Sequence, residues 1–128
     1  WGTNEDWIAF RKRVATYLID IDGVIYENGS RFWKPQWGES KILDKVQRKI
    51  EQLFEEGNYI VLLTSRPENF RVVTEKQLKQ DGIKYHQLVM GVHHGNRVLI
   101  NDFSETNPFP SAIAINTARN SADFLDKI

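Results

Sequence analysis

Arg13-Val14-Ala15-Thr16-Tyr17-Leu18-Ile19-Asp20 is followed at once by Ile21-Asp22-Gly23, and this stretch decides how the rest of the 128-residue chain is read. Its first part is a short β-branched and apolar run of the kind that forms a buried strand, and it stops on a carboxylate. Two acids two residues apart, beside a glycine that can turn the chain, direct attention to what stands at the ends of the other strands.

Outward from this stretch, element types alternate. Ser40 to Glu56 places Ile42, Leu43, Val46, Ile50, Leu53 and Phe54 on one face at three- and four-residue spacing, and Gly57 stands where a helix would end. Asn58 to Thr64 is nearly continuous apolar sequence, as a central parallel strand requires. Pro67 suits a first helical position, and Phe70, Val73 and Leu78 form the inner stripe of a helix closing at Gly82. Tyr85 to Met90, Arg97 to Ile100, and Ala112 to Ile115 after the Pro108-Phe109-Pro110 turn read as strands three, four and five; a short helix near Ser121 to Ile128 ends the chain. Trp7, Ile8 and Phe10 read as a packing helix ahead of the first strand. Alternating strands and helices imply right-handed crossovers. The expected fold is therefore a single three-layer α/β domain over residues 1–128, Rossmann-like, with a parallel five-stranded sheet and helices on both faces.

Composition narrows the function. Apolar residues make up 41% and charged residues 27% of the chain, which is enough for one core and a soluble surface. Lys plus Arg and Asp plus Glu both number 17, so no overall basic field drives nucleic-acid binding, and any anion site must be local. Absence of cysteine excludes disulfides, thiol catalysis and thiolate metal sites but leaves the redox compartment open; a cytoplasmic location is the default expectation. Apolar runs such as Ile60 to Leu63 fall far below the ~20 residues that cross a bilayer, so no membrane association is expected. No repeat or low-complexity segment interrupts the domain. The chain begins with Trp1, which suggests a processed or excised piece with a partner domain elsewhere.

In open parallel sheets, ligands bind beyond the carboxyl ends of the strands. There the sequence places Asp20-Ile21-Asp22-Gly23 after the first strand, Thr64-Ser65-Arg66 after the second and Asn101-Asp102 after the fourth. Each alone is ordinary turn or cap chemistry. Together, two carboxylates, a hydroxyl followed by an arginine, and a third carboxylate on one edge are hard to attribute to turn chemistry and point to a functional site.

These motifs, in this order from about Val14 to Ile115, resemble the haloacid dehalogenase-like superfamily. That resemblance implies that Asp20 is a nucleophile, Asp22 a general acid and base, Thr64 a phosphate-binding hydroxyl and Asp102 a magnesium ligand. A carboxylate attacking a phosphate dianion meets repulsion that a divalent cation offsets, and Mg2+ held by Asp20, Asp102 and the Asp22 main-chain carbonyl would do so. The expected intermediate is an aspartyl-phosphate. Asp22 favours hydrolysis, since dehalogenases of the superfamily lack it and its phosphorylated-intermediate pumps carry Thr there. The superfamily usually places a Lys or Arg after the third strand, but here the loop is Gly91-Val92-His93-His94-Gly95. Arg66, or His93 and His94 in the loop itself, are the substitutes and substrate-binding candidates, with Ser65 a further substrate-binding candidate beside Thr64. Lys84 and Arg97 lie at the far ends of their expected strands, Arg97 roughly 15 Å before Asp102 at ~3.3 Å per residue. Histidine in that role would make activity depend on pH.

No segment leaves room for a cap domain, so the site is expected to be open, suiting a bulky substrate or a homo-oligomer whose neighbour closes the mouth. Tyr26 to Lys34 reads as a hairpin flap turned at Asn28-Gly29, offering Arg31 and Lys34 to anions; Tyr26, Phe32, Trp33 and Trp37 line the approach or cover the core edge. Arg119 lies on the same edge, after the fifth strand. The sequence thus predicts a capless, magnesium-dependent phosphomonoesterase acting on a small phosphorylated metabolite, sugar phosphates first, by analogy with capless superfamily members of sugar and capsule pathways. Its rivals are a nucleic-acid end phosphatase, disfavoured by the neutral charge balance, and a catalytically silent phosphate-binding or assembly domain.

Overall fold

Thr16–Asp20 forms β1, Tyr59–Leu63 β2 and Gln87–Val89 β3, three parallel strands in the order β1-β2-β3. The computed structural model describes residues 14–28, 37–104, 106 and 111–128. Helix α1, Val46–Glu55, connects β1 to β2, and helix α2, Arg71–Gln80, preceded by a 3-10 turn at Glu68–Phe70, connects β2 to β3. A second 3-10 turn, Asp123–Lys127, replaces the expected terminal helix.

The register explains where the core lies. Tyr17 stands opposite Ile60, and Ile19 opposite Leu62, which in turn faces Leu88. Side chains alternate along a strand, so these residues share one face. They join Val46, Ile50 and Leu53 of α1, Leu78 of α2 and Phe124 in a single apolar cluster. Burying each of the large aliphatic side chains contributes about 1.5–3 kcal/mol. Gly57 ends α1 at φ 93°, a conformation costly to residues with a Cβ, and Asn58 then ties the helix to β1. The Asn58 side chain donates to the Leu53 carbonyl at 2.9 Å and accepts the Ala15 N–H at 2.8 Å.

This architecture corrects the expected five-stranded sheet with helices on both faces. Arg97 to Ile100 and Ala112 to Ile115 form no strand. A strand needs both a ladder partner and a face to bury; Val98, Leu99, Ile100 and Ile113 are 78%, 61%, 91% and 84% exposed, so these segments have neither. Sequential strand order with right-handed crossovers also sends both helices to the same side. Among the described residues the opposite face has no helix, and Leu18 there is 49% exposed.

The helix expected from Ser40 begins only at Val46. Residues 41–43 pair instead with the loop after β1: Glu27 donates its N–H to the Lys41 carbonyl and Leu43 donates to that of Ile25, both at 2.8 Å. Ile42 bridges Tyr26 in antiparallel fashion, and Lys45 at φ 66° separates this segment from α1. Tertiary pairing has overridden a helical pattern. The expected helix around Trp7, Ile8 and Phe10, the flap residues Gly29, Arg31, Phe32, Trp33 and Lys34, and the Pro108-Phe109-Pro110 turn lie outside the described residues. No helix of the described residues is long and apolar enough to cross a membrane.

Candidate functional site

A cleft of about 530 Å³ opens at the carboxyl ends of β1 and β2. Its floor is the loop after β1. The Ile21 N–H continues the sheet ladder to the Leu63 carbonyl at 3.1 Å, while the Ile21 carbonyl accepts from Ile25 at 2.9 Å and Tyr26 at 3.1 Å. Ile21, Ile25 and Tyr26 are fully buried, so apolar anchors hold the turn that presents Asp20, Asp22 and Gly23. Ser65, from the loop after β2, lines the same cleft.

Asp20 is the accessible carboxylate. One of its oxygens accepts the Ile21 N–H at 2.9 Å. Its surroundings nevertheless dehydrate the carboxyl enough to raise its pKa above the usual carboxylate range; Arg97, the Ile21 amide and His94 oppose that shift, and Asp22 adds to it. His94 and Arg97 both line the cleft, and Arg97 brings a guanidinium charge toward Asp20.

Asp22 lies at the cleft margin in a different environment. Both of its oxygens accept from Arg66, from Nε at 3.0 Å and Nη2 at 2.8 Å. Arg66 is fully buried and uses Nη1 on Thr74 Oγ1 at 3.0 Å and Gln77 Oε1 at 2.9 Å. Gln77 in turn donates to the Ser40 carbonyl at 3.0 Å. The buried Tyr26 hydroxyl donates to Asp81 at 2.6 Å, and burial followed by that carboxylate pushes its pKa upward. A guanidinium satisfied on this many sides can be buried at tolerable cost, and it locks the β1 loop to α2.

The predicted site residues therefore divide. Asp20, Asp22, Ser65 and His94 come together in the cleft. Thr64 is buried behind it, its Oγ1 accepting the Arg66 N–H at 3.0 Å, and Arg66 is committed to Asp22. His93 and Asp102 are exposed and outside the residues that line the cleft. Two contributors were missed or misplaced. Arg97 reaches the cleft because residues 97–100 do not form the strand that would have carried it to the opposite end. Thr117 lines the cleft through a loop whose position depends on contacts far apart in sequence, and only its place after the last apolar run hinted at it.

The donor set does not match the magnesium site implied by the resemblance. Mg2+ is usually held through one or two carboxylates with phosphate and water, in near-octahedral geometry. Asp102 is outside the residues that line the cleft, so of the two implied carboxylate ligands only Asp20 stands there, and among the described residues no three carboxylate or imidazole side chains are grouped to hold a metal. The charges gathered around Asp20 suit an anion instead.

No family model matches the chain, and no curated protein matches it. A crystal structure described as an MCSG target from Vibrio cholerae is similar to 66% of this chain and 79% of its own, at 14% identity and a TM-score of 0.49. That likeness is too distant to carry a fold or a role across.

Proposed function

We propose that the chain is a phosphomonoester hydrolase of the kind the sequence motifs resemble, with Asp20 as its nucleophile and a small phosphorylated metabolite as its substrate. The observation that carries this reading is one cleft in which an accessible, partly dehydrated carboxylate faces His94 and Arg97 beside the Ser65 loop. Desolvation makes a carboxylate a better nucleophile, and the neighbouring Arg97 guanidinium offsets its repulsion from a phosphate dianion. Asp20 attacks phosphorus, the bond to the ester oxygen breaks, and the phosphoryl group resides on the carboxylate. Water then cleaves the acyl phosphate, releasing inorganic phosphate and restoring Asp20. In this reading His94 supplies the proton that the departing alcohol requires.

One observation favours a second reading, a phosphate-binding domain without turnover. Both oxygens of Asp22 accept from Arg66, so the residue expected to move protons must first surrender a buried pair. Phosphate release from a chromogenic aryl phosphate, with and without Mg2+, separates the two. The hydrolase reading predicts release by the parent and a loss of about a thousandfold or more in Asp20→Asn. Phosphate binding with no release by the parent would establish the second reading.

A further inference from the structure

We infer that the loop carrying Thr117 and Arg119 is the arm that grips the phosphoryl oxygens of the ligand, an inference that rests on reading the cleft as a phosphate site. Thr117 and Arg119 line the cleft across from the β1 loop. The arm is fastened to that loop at two points through one residue. The Asn120 N–H donates to the Gly23 carbonyl at 2.8 Å, and Asn120 Oδ1 accepts the Asn28 N–H at 2.6 Å. Asn120 takes φ 61°, a left-handed conformation that asparagine tolerates better than most residues with a Cβ. Gly23 makes room for the crossing: a Cβ there would stand 3.3 Å from Arg119 Cγ.

The unexplained atom on this arm is the Thr117 hydroxyl. It is withdrawn from solvent and has no hydrogen-bond partner among the described residues. A buried hydroxyl without a partner costs free energy, and the usual resolution is a ligand or an ordered water that supplies one. Thr117 lines the cleft, and on this inference rotation about its χ1 turns the hydroxyl to the ligand. Arg119 is exposed at the same wall, where its planar donors match the oxygens of a tetrahedral anion. The arm therefore offers one charged fork and one unsatisfied hydroxyl, which suits a phosphoryl group better than the apolar part of a substrate.

Calorimetric titration of the whole chain with inorganic phosphate tests the inference without requiring turnover. Thr117→Val and Arg119→Gln are each expected to weaken phosphate binding about tenfold or more, whereas Arg48→Gln, remote from the cleft, binds like the parent. Thr117→Val is also expected to melt at or above the parent temperature, since it removes an unpartnered hydroxyl. Parent-like phosphate binding by both variants, no phosphate binding by the parent, or a lower melting temperature for Thr117→Val would overturn the assignment. Failure of the hydrolase reading registers separately, as absence of phosphate release from an aryl ester by a chain that still binds phosphate.

Discussion

At the scale of single residues, Asp20 and Arg66 carry opposite relations between stability and function. The raised pKa of Asp20, caused first by desolvation, means that the folded chain holds that proton more tightly than the unfolded chain does. Stability from this group is thus full below the ordinary carboxylate range and falls as pH rises toward the raised value. At neutral pH the ionised Asp20 is a net cost to the fold, so Asp20→Asn should raise the melting temperature at pH 7, and the gain should shrink in acid. Melting curves of parent and variant across pH 3 to 8 check this; an equal or lower melting temperature at pH 7 would contradict it. Arg66 is the reverse case, since removing it strands Asp22, Thr74 and Gln77. Arg66→Met is expected to cost about 3–5 kcal/mol by urea denaturation, because it leaves a carboxylate without its buried partner. A loss near zero would show that the network contributes nothing.

At the scale of elements, α1 packs against the sheet through Ile50, and Ile50→Ala should cost about 2–5 kcal/mol in the same measurement. Gly23→Ala combines a strained φ of 89° with displacement of Arg119, and phosphate binding should weaken along with stability. An unchanged phosphate affinity would mean that the crossing of these loops is incidental. Much of the element pattern was legible: β1, β2 and α2 fall within the runs read from the sequence, because apolar periodicity reports which face is buried. Asp20 and Ser65 were legible for the same reason, each following an apolar run directly. What could not be read depends on partners. Residues 41–43 carry a helical pattern but bond to the β1 loop, and Val98 to Ile100 carry a strand composition without a ladder. Asp22 read as an acid–base group because nothing local reveals that Arg66 lies beneath it. Hydrogen exchange distinguishes the observed sheet from a larger one: amides of Ile60 to Leu63 should be protected, and those of Val98 to Ile100 should exchange rapidly. Strong protection of the latter would restore a fourth strand.

At the scale of the whole molecule, a chain with zero formal net charge concentrates contrasting groups at one end of its sheet. Two parallel crossovers bring the β1 and β2 loops side by side, and the Thr117 to Asn120 loop closes the third wall through Gly23 and Asn28. The cleft this builds is polar and brings His94 and Arg97 to Asp20, its exposed carboxylate. Covalent chemistry at that carboxylate is the claim on which the functional account stands. Mass spectrometry of the chain, acid-quenched during reaction with an aryl phosphate and digested, tests it most directly. The account predicts one phosphoryl group on the peptide containing Asp20, absent from Asp20→Asn; phosphate release that continues with no phosphoryl group on that peptide, or with the group on another residue, would contradict it.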